Sequence, residues 1–176
     1  MQSLQNFRAL TQGRRANGAH MVLRTVTLGK GDVDAELVGV VREFSEIFFQ
    51  TRCVLLPSME LESPAIRQLD GEVQLCALSL LSEVSIASSE LDPDREVIAC
   101  LALTNSDLFF ENCLFVFGHA VPKLRACVCS LNRLGEEVSR EQLIRRTLVT
   151  LVHECGHLIR IDHCERKLCL ANASGF

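Results

Sequence analysis

The sequence predicts an α/β (α+β) fold, in which helices pack on a mixed, twisted β-sheet. Short runs rich in Val, Leu and Thr alternate with longer segments whose apolar residues recur at helical spacing. The run VIACLALT at 97–104 is continuously apolar, which is typical of a strand covered on both faces. The chain has 176 residues and 48% hydrophobic content, which suits a single domain with its own core.

The first half of the chain predicts two strands and two helices. In order, the pattern gives a flexible tail over 1–19, a strand over 20–28, a helix over 34–49, a strand over 52–56, a connection over 64–71 and a helix over 72–83. We expect Asp32 to cap the first helix and Pro57 to end the second strand.

The second half predicts three strands and a long C-terminal helix. A turn-rich linker over 91–96 precedes strands over 97–104, 114–117 and 125–131. Ser139 and Gln142 have the spacing of a capping box, so the last helix is expected to begin there. One side of this helix is apolar and should pack on the sheet; it comprises Ile144, Leu148, Leu151, Val152, Cys155, Leu158 and Ile159.

The opposite side of the last helix carries the sequence HECGH. His153 and His157 are four residues apart and therefore lie one turn apart on the same helical face, with Glu154 beside them. This is the H-E-x-x-H pattern, in which two imidazoles bind zinc and the Glu acts as general base on a zinc-activated water. The pattern predicts a catalytic zinc centre with His153 and His157 as metal ligands and Glu154 as the catalytic residue.

His163 is the expected third zinc ligand. A helix continued to position 163 would carry its side chain ~9 Å along the axis and off the ligand face, so the chain must turn between Leu158 and Asp162. Glycine adopts positive φ without cost, but this sequence has Arg160 at the expected turn position. A non-glycine residue there costs about 1–2 kcal/mol, which is tolerable.

Composition excludes several classes of partner. The net charge is −4 and no apolar run is long enough to span a bilayer, so we expect neither nucleic acid nor membrane as a partner. Nine cysteines without an apolar leader favour free thiols and a cytoplasmic location. An organelle is the alternative, because residues 1–31 contain five basic and no acidic side chains. We expect a monomer that acts on a peptide or protein substrate.

The sequence from Thr104 to Ser174 resembles the archaemetzincins, zinc metallopeptidases of the metzincin group. That family has HExxHxxGxxHC, four further residues, C-x-M and a more distant C-x-x-C. The segments TNSDLF (104–109), FVFGHA (115–120) and CSLNRL (129–134) also resemble family blocks, and a weaker similarity reaches back to Met21. The resemblance implies a zincin-like domain over 20–176, with a C-terminal subdomain shorter than the family pattern.

By this resemblance, His153, His157 and His163 bind the catalytic zinc, Glu154 is the general base, and Cys164 and Cys169 supply half of a second, structural zinc site. Three positions depart from the family pattern. Arg160 replaces Gly, Ala171 replaces the Met of the Met-turn, and the sequence stops at Phe176 before a C-x-x-C. Two thiolates do not form a closed tetrahedral zinc site.

Two functions therefore remain open: a zinc-dependent peptidase, and a catalytically impaired zinc-binding pseudo-peptidase or interaction domain. The other histidines and cysteines are interpreted as structural. We expect His119 in a turn after Gly118, and His20 at the surface. Inert core thiols are expected at Cys53, Cys76, Cys100, Cys113, Cys127 and Cys129.

Overall fold

The computed structural model describes residues 18–28, 31–91, 96–166 and 169–172. Most of the tail predicted over 1–19 and of the linker predicted over 91–96 lies outside these ranges. The helices are α1 (Ala35–Phe49), α2 (Ala77–Glu90) and α3 (Arg140–Leu158). The strands are β1 (His20–Thr27), β2 (Cys53–Leu55), β3 (Met59–Glu60), β4 (Ile66–Leu69), β5 (Glu72–Cys76), β6 (Val97–Thr104), β7 (Asp107–Phe109), β8 (Gly118–Val121) and β9 (Ala126–Ser130).

The main sheet has the strand order β2-β1-β6-β9-β8, and β3 pairs with β1 beyond β2. Its neighbouring strands are parallel except β8, which runs antiparallel to β9 and forms one edge. The continuous apolar run at 97–104 is the central strand β6, as predicted. The mixed α/β fold expected from the sequence is therefore confirmed.

Helices cover both faces of this sheet. Successive residues of β6 point to opposite faces, so they pack against different helices. Leu101 and Leu103 pack in a core with α1 and α3, whereas Cys100 and Ala102 pack in a second core with α2. Each helix contributes its apolar stripe to one of these two layers. The candidate histidines lie on α3, so the first layer supports them.

A smaller sheet, with the order β4-β5-β7, was not predicted. The segment 64–71 contains β4, and the segment 72–83 is divided between β5 and the start of α2, so the predicted connection and helix were wrong there. Asp70 and Gly71 both have positive φ and form the tight turn between antiparallel β4 and β5. Pairing of β5 with both neighbours outweighs the helical spacing of its apolar residues.

Two further local predictions are corrected. Asp34 caps α1, not Asp32, since the Asp34 side chain accepts a 2.9 Å hydrogen bond from the Leu37 N–H. Residues 114–117 form a loop rather than a strand. Val116 makes an isolated antiparallel bridge to Leu108, and the regular strand β8 begins at Gly118.

Candidate active site

Helix α3 begins with the predicted capping box. The Ser139 hydroxyl accepts from the Gln142 N–H, and the Gln142 side chain accepts from the Ser139 N–H at 2.9 Å. Leu151 and Cys155 are buried on its sheet side, in the core shared with α1 and β9. This packing leaves His153 and His157 on the side that faces away from the core.

The helix ends at Leu158 and the chain turns at Arg160, as the position of His163 required. Arg160 has φ 61°, which is the left-handed conformation. The N–H of Arg160 donates to the His157 carbonyl at 2.9 Å, and the N–H of Ile161 donates to the Gly156 carbonyl at 3.0 Å. These bonds close the last helical turn and reverse the chain toward His163.

The three histidines converge. His157 Nε2 lies 3.0 Å from His153 Nε2 and 3.1 Å from His163 Nε2. Among the described residues, these three form a group whose ligand atoms all lie within 4.8 Å of one another. Tetrahedral Zn–N bonds of ~2.0–2.1 Å would separate two nitrogens by roughly 3.3 Å. The observed spacing fits one zinc ion.

Two main-chain carbonyls orient the imidazoles. The Nδ1 atom of His153 lies 2.8 Å from the Leu170 carbonyl oxygen, and that of His157 lies 2.8 Å from the Ile161 carbonyl oxygen. In each ring Nδ1–H donates, so the Nε2 lone pair points to the centre of the triad. Burial lowers the pKa of His153, with further contributions from the neighbouring histidines. The neutral form that binds metal is therefore favoured.

Glu154 is buried, with 6% exposure, rather than displayed on an open face. Burial raises the pKa of its carboxyl group to about 8. The side chain packs against the first residue of β8, where a β-carbon on Gly118 would lie 2.8 Å from the Glu154 Cγ and Oε1 atoms. The absence of a side chain at 118 thus makes room for the carboxyl group beside the histidines.

His119 was wrongly predicted to lie in a turn. It lies in β8, half-buried, with its ring stacked on Phe110 at a centroid distance of 4.0 Å. Burial lowers the pKa of His119, and the nearby carboxylate of Glu111 partly opposes this shift. The pairing of β8 with β9 determines the position of His119. The sequence pattern did not predict this pairing.

The comparisons with known proteins agree with this architecture. Residues 41–175 match the model of peptidase family M54. The chain belongs to this family. It is 28% identical to the archaemetzincin of Methanocaldococcus jannaschii over 160 residues, which cover 88% of this chain and 82% of that protein. It is 35% identical to the Thermococcus kodakarensis archaemetzincin over 91 residues, which are 49% of each chain. The chain thus spans about half the length of that relative.

Solved structures of archaemetzincins have the same fold. The Methanopyrus kandleri archaemetzincin superposes with a TM-score of 0.68 at 27% identity, over 89% of this chain and 82% of that one. A zinc-dependent peptidase from Methanocorpusculum labreanum gives a TM-score of 0.69 at 19% identity, over 86% and 87% of the two chains. The second likeness supports the fold alone. In the described part of this family M54 chain, the helices are too short or too polar to cross a membrane.

Residues 164–166 and 169–172 lie beside α3, where the Leu170 carbonyl contacts His153. The N–H of Cys164 donates to the Ala171 carbonyl at 2.7 Å, and the Asn172 amide donates to the Cys164 carbonyl at 3.0 Å. The pKa of the Cys164 thiol is lowered, first by the backbone N–H of Arg166 and then by the side chain of Cys169. Cys164 and Cys169 are therefore neighbours, as expected if both thiols bind the same metal ion.

An apolar cavity of about 350 Å³ lies between this segment, α1 and α3. Phe48 and Ile159 line it together with His153 and Ala171. At the position of Ala171, the archaemetzincin sequence pattern has the Met of the Met-turn. The small side chain at 171 thus borders an incompletely filled space next to a candidate zinc ligand.

The remaining cysteines are divided between core and surface. Cys53, Cys100, Cys127 and Cys129 are buried, as predicted, and Cys76 is half-buried. Cys127 and Cys129 are therefore core thiols, and the Cys127 Sγ atom lies 3.9 Å from the Cys155 Sγ atom. Cys113 is exposed, so its assignment to the core was wrong. It lies in the loop at 110–117, immediately before the residues 114–117 that were predicted to form a strand.

Proposed function

We propose that this archaemetzincin hydrolyses peptide bonds with one zinc ion held by His153, His157 and His163. The convergence of the three Nε2 atoms carries the proposal, since those of His153 and His163 lie 3.0 and 3.1 Å from that of His157. Three neutral imidazoles leave a fourth tetrahedral position open, which is characteristic of catalytic rather than structural zinc. The substrate class is a peptide or protein.

Zinc at this position would polarise the peptide carbonyl and lower the pKa of a water molecule to roughly 7. Glu154 is the proposed general base, which accepts the proton of the attacking water and passes it to the leaving amine. In the metal-free protein burial raises the pKa of its carboxyl group to about 8, and the positive charge of a bound zinc ion would lower that pKa toward the working pH. A group with a pKa near the working pH can take up and release a proton.

A second zinc ion would need more than Cys164 and Cys169. Closed structural zinc sites have four protein ligands, and two neighbouring thiols supply half of that number. We therefore propose a stoichiometry of one zinc per chain. Replacing Cys164 and Cys169 together by Ser should leave this stoichiometry unchanged.

The decisive experiment combines metal content with turnover. Purified protein should contain one zinc per chain by mass spectrometric metal analysis and should cleave members of a fluorogenic peptide library. Glu154→Gln should retain the zinc and lose turnover by about 100-fold or more, as expected for a general base. Glu141→Gln is the matched control, since Glu141 is exposed in the first turn of the same helix. Failure to bind zinc would refute the proposal.

A zinc-binding domain without catalysis is the second candidate function. It is favoured by the left-handed Arg160 and by the apolar cavity at Ala171, both beside the histidines. Stoichiometric zinc with no turnover of any peptide, and no effect of Glu154→Gln, would establish this alternative. Turnover that disappears with Glu154→Gln would exclude it.

A further inference from the structure

Residues 164–166 and 169–172, which form the post-helix segment, connect two features of the candidate zinc site. The segment begins directly after the candidate ligand His163. Near its end, the Leu170 carbonyl oxygen lies 2.8 Å from His153 Nδ1 and orients that ring. The position of His163 and the orientation of His153 therefore both depend on the conformation of one short segment.

The post-helix segment lies outside the regular secondary structure. In the described part of the chain, no helix or strand follows α3. Of the described side chains, none beyond Ile159 belongs to either apolar core. The conformation of the segment therefore depends on the hydrogen bonds that its own residues make, since neither strand pairing nor packing in a core fixes it.

The side chain of Asn172 joins the two ends of this segment. Its Nδ2 atom donates to the Cys164 carbonyl at 3.0 Å and to the Arg166 carbonyl at 3.2 Å. A primary amide has two N–H groups, so one proton is available for each carbonyl. The first of these carbonyls belongs to the residue directly after His163, and Asn172 itself follows Leu170 by two positions. One amide group thus links the part of the chain that carries His163 to the part that orients His153.

Main-chain hydrogen bonds bring Asn172 within reach of both carbonyls. The N–H of Cys164 donates to the Ala171 carbonyl at 2.7 Å, and the N–H of Asn172 donates to the Cys169 carbonyl at 2.9 Å. A third bond of 3.0 Å runs from the Cys169 N–H to the Arg166 carbonyl. Replacing Asn172 by Ala leaves all of these groups in place and removes only the two side-chain bonds.

We propose that Asn172 is a positioning residue of the zinc site, whose amide fixes the post-helix segment so that the Leu170 carbonyl holds the His153 ring. With its proton held on Nδ1, His153 presents the Nε2 lone pair to the other two histidines. Asn172 acts through Leu170 and His163. The inference rests on the proposed function insofar as it takes the three histidines to bind zinc.

The first measurement is the zinc affinity of Asn172→Ala. The dissociation constant is read by competition with a fluorescent zinc chelator, so no turnover is needed. We expect Kd to rise by about tenfold, the lower end of the loss seen when a group that orients a metal ligand is removed, because Asn172 acts one step further from the metal. Thermal unfolding of the metal-free variant establishes that it is folded, which we expect because Asn172 belongs to neither core.

The second measurement is made on the metal-free protein. Nitrogen NMR of the imidazole rings reports which ring nitrogen carries the proton. In the wild type, His153 should hold its proton on Nδ1, because the Leu170 carbonyl accepts from that atom. In Asn172→Ala, the carbonyl is held less firmly, so the form protonated on Nε2 should also be populated. General destabilisation would not produce this change, since the remaining folded molecules would still carry the proton on Nδ1.

Asn105→Ala is the matched control. The Asn105 amide also donates to two main-chain carbonyls, those of residues 31 and 32, at 2.9 and 3.1 Å. These residues precede α1, whose capping residue Asp34 forms an ion pair with Arg140 in the first turn of α3. From Arg140 to His153 the distance along this helix is ~20 Å. Loss of the same kind of bonds at this end should leave zinc Kd and the His153 tautomer unchanged.

The outcomes separate this inference from the proposed function. If Asn172→Ala weakens zinc binding and changes the tautomer but the wild type cleaves no peptide, the positioning role stands and the peptidase function fails. If the wild type cleaves peptides while Asn172→Ala leaves Kd and tautomer unchanged, the function stands and the positioning role is refuted. Equal effects of Asn172→Ala and Asn105→Ala would also refute it. If the wild type binds no zinc, the function fails, and the tautomer of metal-free His153 still decides whether Asn172 orients that ring.

Discussion

Gly118 and Glu154 are in direct contact across the boundary between β8 and α3. A β-carbon at 118 would lie 2.8 Å from Glu154 Oε1 and 2.8 Å from the Val128 carbonyl oxygen. Real β-carbons do not approach other atoms so closely, so any larger residue at 118 must displace the carboxyl group or the edge strand. The contact therefore makes residue 118 a determinant of the position of the proposed general base.

Gly118→Ala should lower turnover by at least about tenfold and the free energy of unfolding by about 1–3 kcal/mol, because both neighbours must move. Zinc content should be retained, since Gly118 is not one of the proposed zinc ligands. Gly39→Ala is the control, because nothing lies within 4 Å of a β-carbon at this helical position. It should stabilise the protein by about 0.4–1 kcal/mol. Unchanged turnover in Gly118→Ala would show that the strand adapts.

The metal-free protein should lose stability as pH rises from about 4.5 to 8. Burial raises the pKa of Glu154 to about 8, so the folded state binds a proton more tightly than the unfolded state does in this window. The contribution is complete below the unfolded pKa and is lost as pH passes through the folded pKa. At ~1.4 kcal/mol per pKa unit, it amounts to a few kcal/mol.

Urea unfolding of metal-free wild type and Glu154→Gln across this pH range measures the effect. The glutamine cannot ionise, so the difference in unfolding free energy between the two proteins should change with pH. The lowered pKa of His153 acts oppositely below its ordinary value of 6.5, and the comparison cancels it because both proteins retain this histidine. A difference that stays constant from pH 4.5 to 8 would contradict the prediction.

Substitutions at Arg160 should separate backbone conformation from side-chain chemistry. Arg160→Gly removes left-handed strain of about 1–2 kcal/mol but adds entropy to the unfolded chain, so unfolding free energy should change by less than ~1 kcal/mol. Arg160→Val should cost ~1–2 kcal/mol, because a β-branched side chain disfavours positive φ. Zinc affinity should follow the same order, since the turn positions His163. Equal zinc affinity in Gly and Val variants would disconnect the turn from the metal.

Ala171→Met should fill part of the cavity beside His153. The cavity is about 350 Å³ and largely apolar in lining, so burying a longer apolar side chain should raise unfolding free energy by about 0.5–2 kcal/mol. Differential scanning calorimetry of the zinc-loaded protein measures the gain. Ala171→Ser adds little volume and should give none. A lower midpoint for Met than for Ser would show that the cavity cannot accept the side chain.

The local patterns of the sequence correctly predicted the elements that depend on nearby residues. Ser139 and Gln142 are three residues apart and form the capping box of α3, and His153 and His157 share a face because four residues make about one helical turn. The central strand β6 was equally clear, because both of its faces are buried. In these cases the stabilising contacts are short in sequence or reflect simple burial.

The errors occurred where distant pairing outweighed local pattern. Residues 72–76 have helical spacing but form β5, because β4 and β7 both pair with them. Asp107 had the local pattern of a cap or turn residue, but the structure shows that it anchors Arg133 and Gln74 in one buried network. Cys113 has apolar neighbours in the sequence, which predicted burial, but its side chain is exposed. The loop that contains it is held by Arg67 from the small sheet.

The sequence by itself identified the three histidines as candidate ligands, the adjacent glutamate as the candidate base and Arg160 as the position of a turn. Helix periodicity fixes the relative positions of residues that are only a few positions apart. The tertiary structure alone decided that three Nε2 atoms converge, that Gly118 makes room for a buried Glu154, and that the small sheet holds the loop at 110–117. Each of these contacts joins segments far apart in sequence. Their geometry depends on strand register and layer packing, which local patterns do not contain.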